Sequence, residues 1–131
     1  MAFPQNELSA AEWELMQVLW NAGAPLTVRG VLEQAYPNAE KAYTTVQTLM
    51  NILVDKGFLK RKKVGMVNFY AAAVAREKVL RKSLSTVAGR MFAGSFGAMA
   101  SFLVSAAPLS AEEIQALRKL LDEQSGEKKN R

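Results

Sequence analysis

Two consecutive helical stripes and the hairpin behind them restrict this chain more than any other feature. Val28, Val31, Leu32 and Ala35 fall at i, i+3, i+4 and i+7, and Val46, Leu49, Met50 and Leu53 repeat the spacing. Each set therefore lies on one face of an α-helix. The first helix has Thr27 as a candidate N-cap and ends at Tyr36-Pro37-Asn38, where proline closes the helix and opens a turn. The second spans about Lys41 to Lys56 and stops at Gly57. Phe58-Leu59-Lys60-Arg61-Lys62-Lys63 and Val67-Asn68-Phe69-Tyr70-Ala71 then read as strands, joined by the glycine-containing turn Val64-Gly65-Met66.

A further helix lies upstream. Ser9-Ala10-Ala11-Glu12 is a capping box, with Leu8 and Trp13 as its hydrophobic staple. Trp13, Met16, Leu19 and Trp20 offer a core-facing side, and Gly23 is the stop. Ala24-Pro25-Leu26 reads as a short extended connector. Downstream, a basic helix from about Ala75 to Ala93 carries Leu80, Leu84, Val87 and Met91 on one side, with a break at Gly94 and Gly97. Ser110 and Glu113 form a second capping box. The helix it opens carries Ile114, Leu117, Leu120 and Leu121 on one face and is expected to end near Gln124, with Ser125 to Arg131 as a frayed polar tail. The expected fold is mainly α with a small β hairpin. Residues 1–73 make a winged helix-turn-helix domain, and residues 74–131 a helical dimerisation module.

Composition narrows the chemistry. The 131 residues contain neither cysteine nor histidine. Zinc fingers, thiolate sensors and histidine-dependent catalysis are excluded. No Ser-x-x-Lys in an apolar pocket is evident, and the glycines lack phosphate-loop spacing. No enzyme activity, no cofactor and no metal site is expected. The first residues have neither a basic nor an apolar signal-peptide region, so a cytoplasmic location is expected.

Charge is unevenly placed. Residues 1–40 hold one basic against five acidic residues, residues 41–90 hold eleven against two, and residues 91–131 hold five of each. A basic middle third is the footprint of a polyanion-binding surface, although a solvated basic face would look the same.

The helix over Lys41 to Lys56 separates these readings. Thr44, Thr48, Asn51 and Asp55 lie within one arc, flanked by Lys41 and Gln47, opposite the apolar stripe. A solvated face would favour Glu, Lys and Arg, and threonine is a poor helix former. Base readout explains the choice. Gln and Asn bond bidentately to adenine, and a threonine methyl packs on the thymine methyl. Asp55 would repel phosphate, which ends the contact surface near Asn51. Lys60-Arg61-Lys62-Lys63 project to both faces of a strand, so a wing laid along the DNA backbone would use alternate ones, which supply salt-dependent affinity. Lysines protecting an edge strand are the rival explanation. Thr27 and Arg29 stand where a helix N-terminus can meet phosphate, and plain capping explains Thr27 equally well.

The span from Met91 to Ala111 carries no charge. Its glycines, serines and Pro108, and the capping box at Ser110, argue against membrane insertion. Phe92, Phe96, Met99, Phe102, Leu103 and Val104 present more apolar surface than one helix pair can bury. A dimer interface accounts for it, joined by Leu80, Leu84 and Met91 before it and by Ile114, Leu117 and Leu121 after it, and a core satellite within the chain is the rival explanation.

At this point the residues resemble a known family. Leu8-Ser9…Glu12-Trp13…Met16…Leu19-Trp20, then Ala42-Tyr43-Thr44-Thr45-Val46-Gln47-Thr48-Leu49-Met50…Leu53…Lys56-Gly57-Phe58-Leu59 and Phe69-Tyr70-Ala71, are similar to the penicillinase-repressor family of bacterial winged-helix regulators. The resemblance implies a homodimeric transcriptional repressor bound to inverted repeats of double-stranded DNA, dimerised through its C-terminal helices. By position it assigns major-groove contacts to Thr44, Thr45, Gln47 and Thr48 and wing contacts to Arg61, Lys62 and Lys63; Tyr43, in the same matched run, is a further DNA-binding candidate. It also implies relief of repression by a membrane sensor protease, with Ser101-Phe102 as the candidate bond. The alternative is a winged-helix protein-interaction module that binds no DNA.

Overall fold

The computed structural model describes the backbone of residues 7–129. The signal-peptide reading of residues 1–6 and the last two residues of the polar tail fall outside the described residues. The element order is α1 (Ala10–Ala22), α2 (Val28–Ala35), α3 (Tyr43–Lys56), β1 (Leu59–Val64), β2 (Val67–Ala72), α4 (Arg76–Met91), α5 (Phe96–Ala106) and α6 (Ala111–Lys129). Three helices and a hairpin in this order make a winged helix-turn-helix fold.

The chain divides into two compact units between Leu84 and Ser85, inside α4. Residue 73, the expected boundary, falls where the hairpin ends. The first unit runs further because Val79 of α4 is buried in its core and Val74 packs against that core.

Local rules explain most helix ends. In α1 the Ser9 hydroxyl accepts from the Glu12 N–H at 3.2 Å, and the Ser9 N–H donates to Glu12 Oε1 at 2.7 Å. Gly23 then adopts φ 62 and donates to the Leu19 carbonyl. The buried residues are Glu12, Leu15, Met16 and Leu19, which keep the expected Met16 and Leu19 and add Glu12 and Leu15. Trp13 and Trp20 flank it half-buried, their rings 5.9 Å apart. Glu12 joins this face because it enters the interior with a partner of its own.

The core of the first unit joins Leu15, Met16, Leu19, Val28, Val31, Tyr36, Val46, Met50, Leu53, Phe58, Leu59, Tyr70 and Val79. The hairpin is antiparallel, with Arg61 opposite Tyr70, Lys62 opposite Phe69, Lys63 opposite Asn68 and Val64 opposite Val67. Its two-residue tip is Gly65-Met66, with Gly65 at φ 63 and Met66 outside the left-handed region, as a type II′ turn requires. The 24–26 connector adds a third short strand position: Leu26 and Tyr70 exchange backbone hydrogen bonds of 2.9 and 2.8 Å.

In the second unit the break lies at residues 92–95, where Ala93 and Gly94 take φ 49 and 84. Gly97 is helical and belongs to α5, and α4 ends at Met91, short of the expected Ala93. Helix α6 continues to Lys129, past the expected end near Gln124. Gly126 does not take the left-handed backbone that terminates a helix, so Ser125 begins no frayed tail. Among the described residues no single helix is long and apolar enough to cross a membrane.

Candidate nucleic-acid interface

Helix α3 is anchored by one face and free on the other. Val46, Met50 and Leu53 are 0% exposed, and Phe58 and Leu59 are buried just beyond its end. Thr44, Thr45, Gln47 and Thr48 are all exposed. The N-cap is Ala42, with no side-chain cap bond, and Gly57 closes the helix at φ 90. Burying the apolar stripe thus fixes the rotation at which the neutral polar face points to solvent.

The flanking residues are held by neighbours. Lys41 lies before α3, not on it, because the helix begins after Ala42. It is half-buried, with its ammonium 5.3 Å from the centre of the Tyr36 ring. Burial pushes the Tyr36 phenol up to about 12, helped by its hydrogen bond to Glu14 and the charges of Glu14 and Glu40. Arg29 of α2 stands over the Tyr43 ring at 5.2 Å, tying α2 to the first turn of α3. Thr27 caps α2, its hydroxyl accepting from the Gly30 N–H at 3.0 Å.

The wing splits its basic residues by the pleat. Cross-strand partners share a face. Leu59, Arg61 and Lys63 therefore stand with Ala72, Tyr70 and Asn68, on the side of the buried Leu59 and Tyr70. Lys60 and Lys62 stand on the other side, with Ala71 and Phe69, around an open cavity of about 630 Å³ that Pro25 and Val64 also line.

Asn51 departs from the reading arc. It is half-buried, and its Oδ1 accepts from Arg61 Nη1 at 2.7 Å and from the Tyr70 hydroxyl at 2.9 Å. Its carbonyl is thereby taken up within the protein, which removes the bidentate adenine contact expected of it. The exposed neutral face ends at Thr48. Asn51 and Arg61 are ten positions apart, and only their periodicities, 3.6 on the helix and 2 on the strand, hint that both face the same gap.

The expected dimer residues do not form one uniform surface. Leu84, Met91, Phe96, Phe102, Leu103, Ile114, Leu117 and Leu121 are exposed. Leu80 and Phe92 are half-buried, and the Phe92 ring lies 5.9 Å from that of Phe102. Met99 is buried and so offers no free contact area. Ser101 and Phe102 lie inside α5, where the Ser105 hydroxyl donates to the Ser101 carbonyl at 2.9 Å.

Comparison with known proteins agrees with this geometry. The family model described as penicillinase repressor matches residues 8–123. The methicillin resistance regulatory protein MecI of Staphylococcus aureus is 28% identical over 88% of this chain and 94% of its own length. The penicillinase repressor of Bacillus licheniformis is 26% identical over 94% of this chain and 95% of its own. Among solved structures, the hsRosR-S4 complex covers 92% of this chain and 92% of its own with a TM-score of 0.53 at 14% identity, a likeness of fold alone. The chain belongs to the penicillinase-repressor family of DNA-binding transcriptional repressors.

Proposed function

We propose that two copies of this chain bind an inverted repeat, each placing α3 in a major groove. Thr44, Thr45, Gln47 and Thr48 read base edges there, and Arg61 and Lys63, which share one face of the wing, meet phosphates. The observation that carries this reading is the two-sided character of α3. Three of its residues are fully buried, so its rotation is fixed, and the face left outside is neutral, polar and short. Arg29 and Tyr43 brace the start of the helix against α2.

Pairing of two chains rests on the exposed apolar residues of α5 and α6, an area that a lone soluble unit would not leave open. Relief of repression rests on the Ser101-Phe102 bond, whose residues are exposed on α5. Cutting there by a sensor protease would divide the pairing unit. Such a repressor works where the chromosome is, in the cytoplasm.

A gel shift with an inverted repeat taken from upstream of its own gene tests the reading. Thr44→Ala or Gln47→Ala should weaken operator binding by about 1–3 kcal/mol and leave non-operator binding unchanged. Lys63→Gln should weaken both and lower the salt slope by about 1. Equal affinity of wild type and both α3 variants for the operator would sink the assignment of that face.

A further inference from the structure

Arg61 carries five N–H donors in a planar fork and no acceptor. The atom of Asn51 facing its Nη1 at 2.7 Å must therefore be the amide oxygen, which fixes the orientation of that amide. The same oxygen takes a second bond from Tyr70, whose side chain is 1% exposed and cannot move without disturbing the core. Asn51 is half-buried on α3, whose opposite face is locked into that core. One carbonyl oxygen thus joins the reading helix, the wing strand β1 and the buried tyrosine of β2.

We propose that Asn51 is a positioning residue that acts through Arg61: it holds the guanidinium at the wing in the posture needed to meet a DNA phosphate. The inference rests on the reading that Arg61 contacts the backbone. An arginine on an exposed strand samples many rotamers, and freezing one on binding costs affinity. Here Nη1 is already engaged, and the exposed remainder of the fork stays available to phosphate oxygens. Because the anchor sits on α3, the phosphate contact is held at a set distance from the bases that α3 reads. Asn51 then supports affinity without reading sequence.

Fluorescence titration of the full chain with operator and non-operator duplexes, at several salt concentrations, tests this. Asn51→Ala should weaken both duplexes alike, by about two- to tenfold, with the salt slope unchanged, because the phosphate is still met by a less ordered arginine. Arg61→Ala should weaken both and lower the slope by about 0.9. The double variant should bind no worse than Arg61→Ala alone. Tyr70→Phe keeps the Arg61 bond but removes the second bond to the same oxygen, and should weaken both duplexes alike by less than Asn51→Ala does, with the salt slope unchanged. If Asn51→Ala folds poorly, Asn51→Leu keeps nearly the same shape and repeats the test without the acceptor. A loss confined to the operator, additive with Arg61→Ala, would overturn the proposal and make Asn51 a base reader. Weakening by Tyr70→Phe that persists in the Arg61→Ala background would overturn it too. A wild type indifferent to the operator would overturn the DNA reading itself, and this inference with it.

Discussion

The Lys56 ammonium meets the Glu12 carboxylate at 2.8 Å, joining the end of α3 to the start of α1 across 44 positions of sequence. Glu12 has a side chain only 3% exposed, while Lys56 keeps 22%. Burial alone would push the Glu12 carboxyl up. The hydrogen bonds from Lys56 and Ser9 and the Lys56 charge outweigh burial and hold it below the ordinary carboxylate value.

This pair makes a prediction with a definite sign. A carboxyl depressed in the folded state stabilises the protein above its unfolded value, about 4.3, and loses that contribution as pH falls through the lower folded value. In urea melts, Glu12→Gln should therefore be less stable than wild type at pH 7, and the gap should close below about pH 4. Lys56→Met leaves the buried carboxylate without its cation and should cost about 1–3 kcal/mol at pH 7. A gap between Glu12→Gln and wild type that stays constant from pH 7 to pH 3 would contradict the assignment.

How much of this was legible in the sequence follows from the range of each interaction. The stripes of α2 and α3, the caps at Ser9 and Ser110, and the stops at Gly23 and Gly57 are local, set by residues within a turn or two. The neutral face of α3 was legible for the same reason. The Lys56–Glu12 pair and the Asn51–Arg61–Tyr70 junction were not, because they depend on how separate elements meet. Glu12 shows the cost of reading charge as exposure: it occupies the first position of the buried stripe of α1, where apolar residues alone were expected. Met99 reversed in the opposite sense, an apolar residue of an exposed-looking span that is buried inside its own unit.

Two turn positions share a left-handed backbone that disfavours a methyl group, which one carries and the other lacks. Ala39 sits at φ 60 in the turn after α2, and Gly65 at φ 63 in the wing tip. A side chain in this region costs about 1–2 kcal/mol. Ala39→Gly relieves that strain and frees the unfolded chain, leaving a net gain of up to about 1 kcal/mol. Gly65→Ala meets no neighbour within 4 Å, so its cost is the backbone term alone, about 1 kcal/mol. Urea midpoints of the two variants should move in opposite directions, and a lowered midpoint for Ala39→Gly would refute the strain at Ala39.

The exposed leucines of α5 and α6 give a test of assembly. Leu103 and Leu121 are 56% and 65% exposed, so neither supports the fold of its own unit. Leu103→Glu and Leu121→Glu should leave helix content unchanged in circular dichroism. Burying either charge between two chains would cost several kcal/mol, so sedimentation should shift from dimer to monomer. Operator affinity should fall with it, since two half-sites no longer reinforce each other. A wild type that sediments as a monomer at every concentration would remove this face from the account.

The Ser101-Phe102 bond is accessible in side-chain terms but guarded by its backbone. It lies in the middle of α5, an 11-residue helix, and a protease needs an extended segment. Cleavage therefore draws on the fraction of molecules in which α5 is unwound. Ala98 and Ala100 are exposed on this helix, so glycine there weakens it without disturbing packing. Each substitution costs about 1 kcal/mol of helix stability, which raises the unwound fraction roughly fivefold. Limited chymotrypsin digestion followed by mass spectrometry should show cutting after Phe102 about five times faster in Ala100→Gly, and about 25 times faster in the double variant. The break at Phe92, beside the left-handed Ala93, should be cut at a rate these changes leave alone. Cutting after Phe102 opens the neighbouring Phe102-Leu103 bond in the same turn, so if the glycine variants are cut there no faster than wild type, unwinding of α5 is not what limits access to this segment.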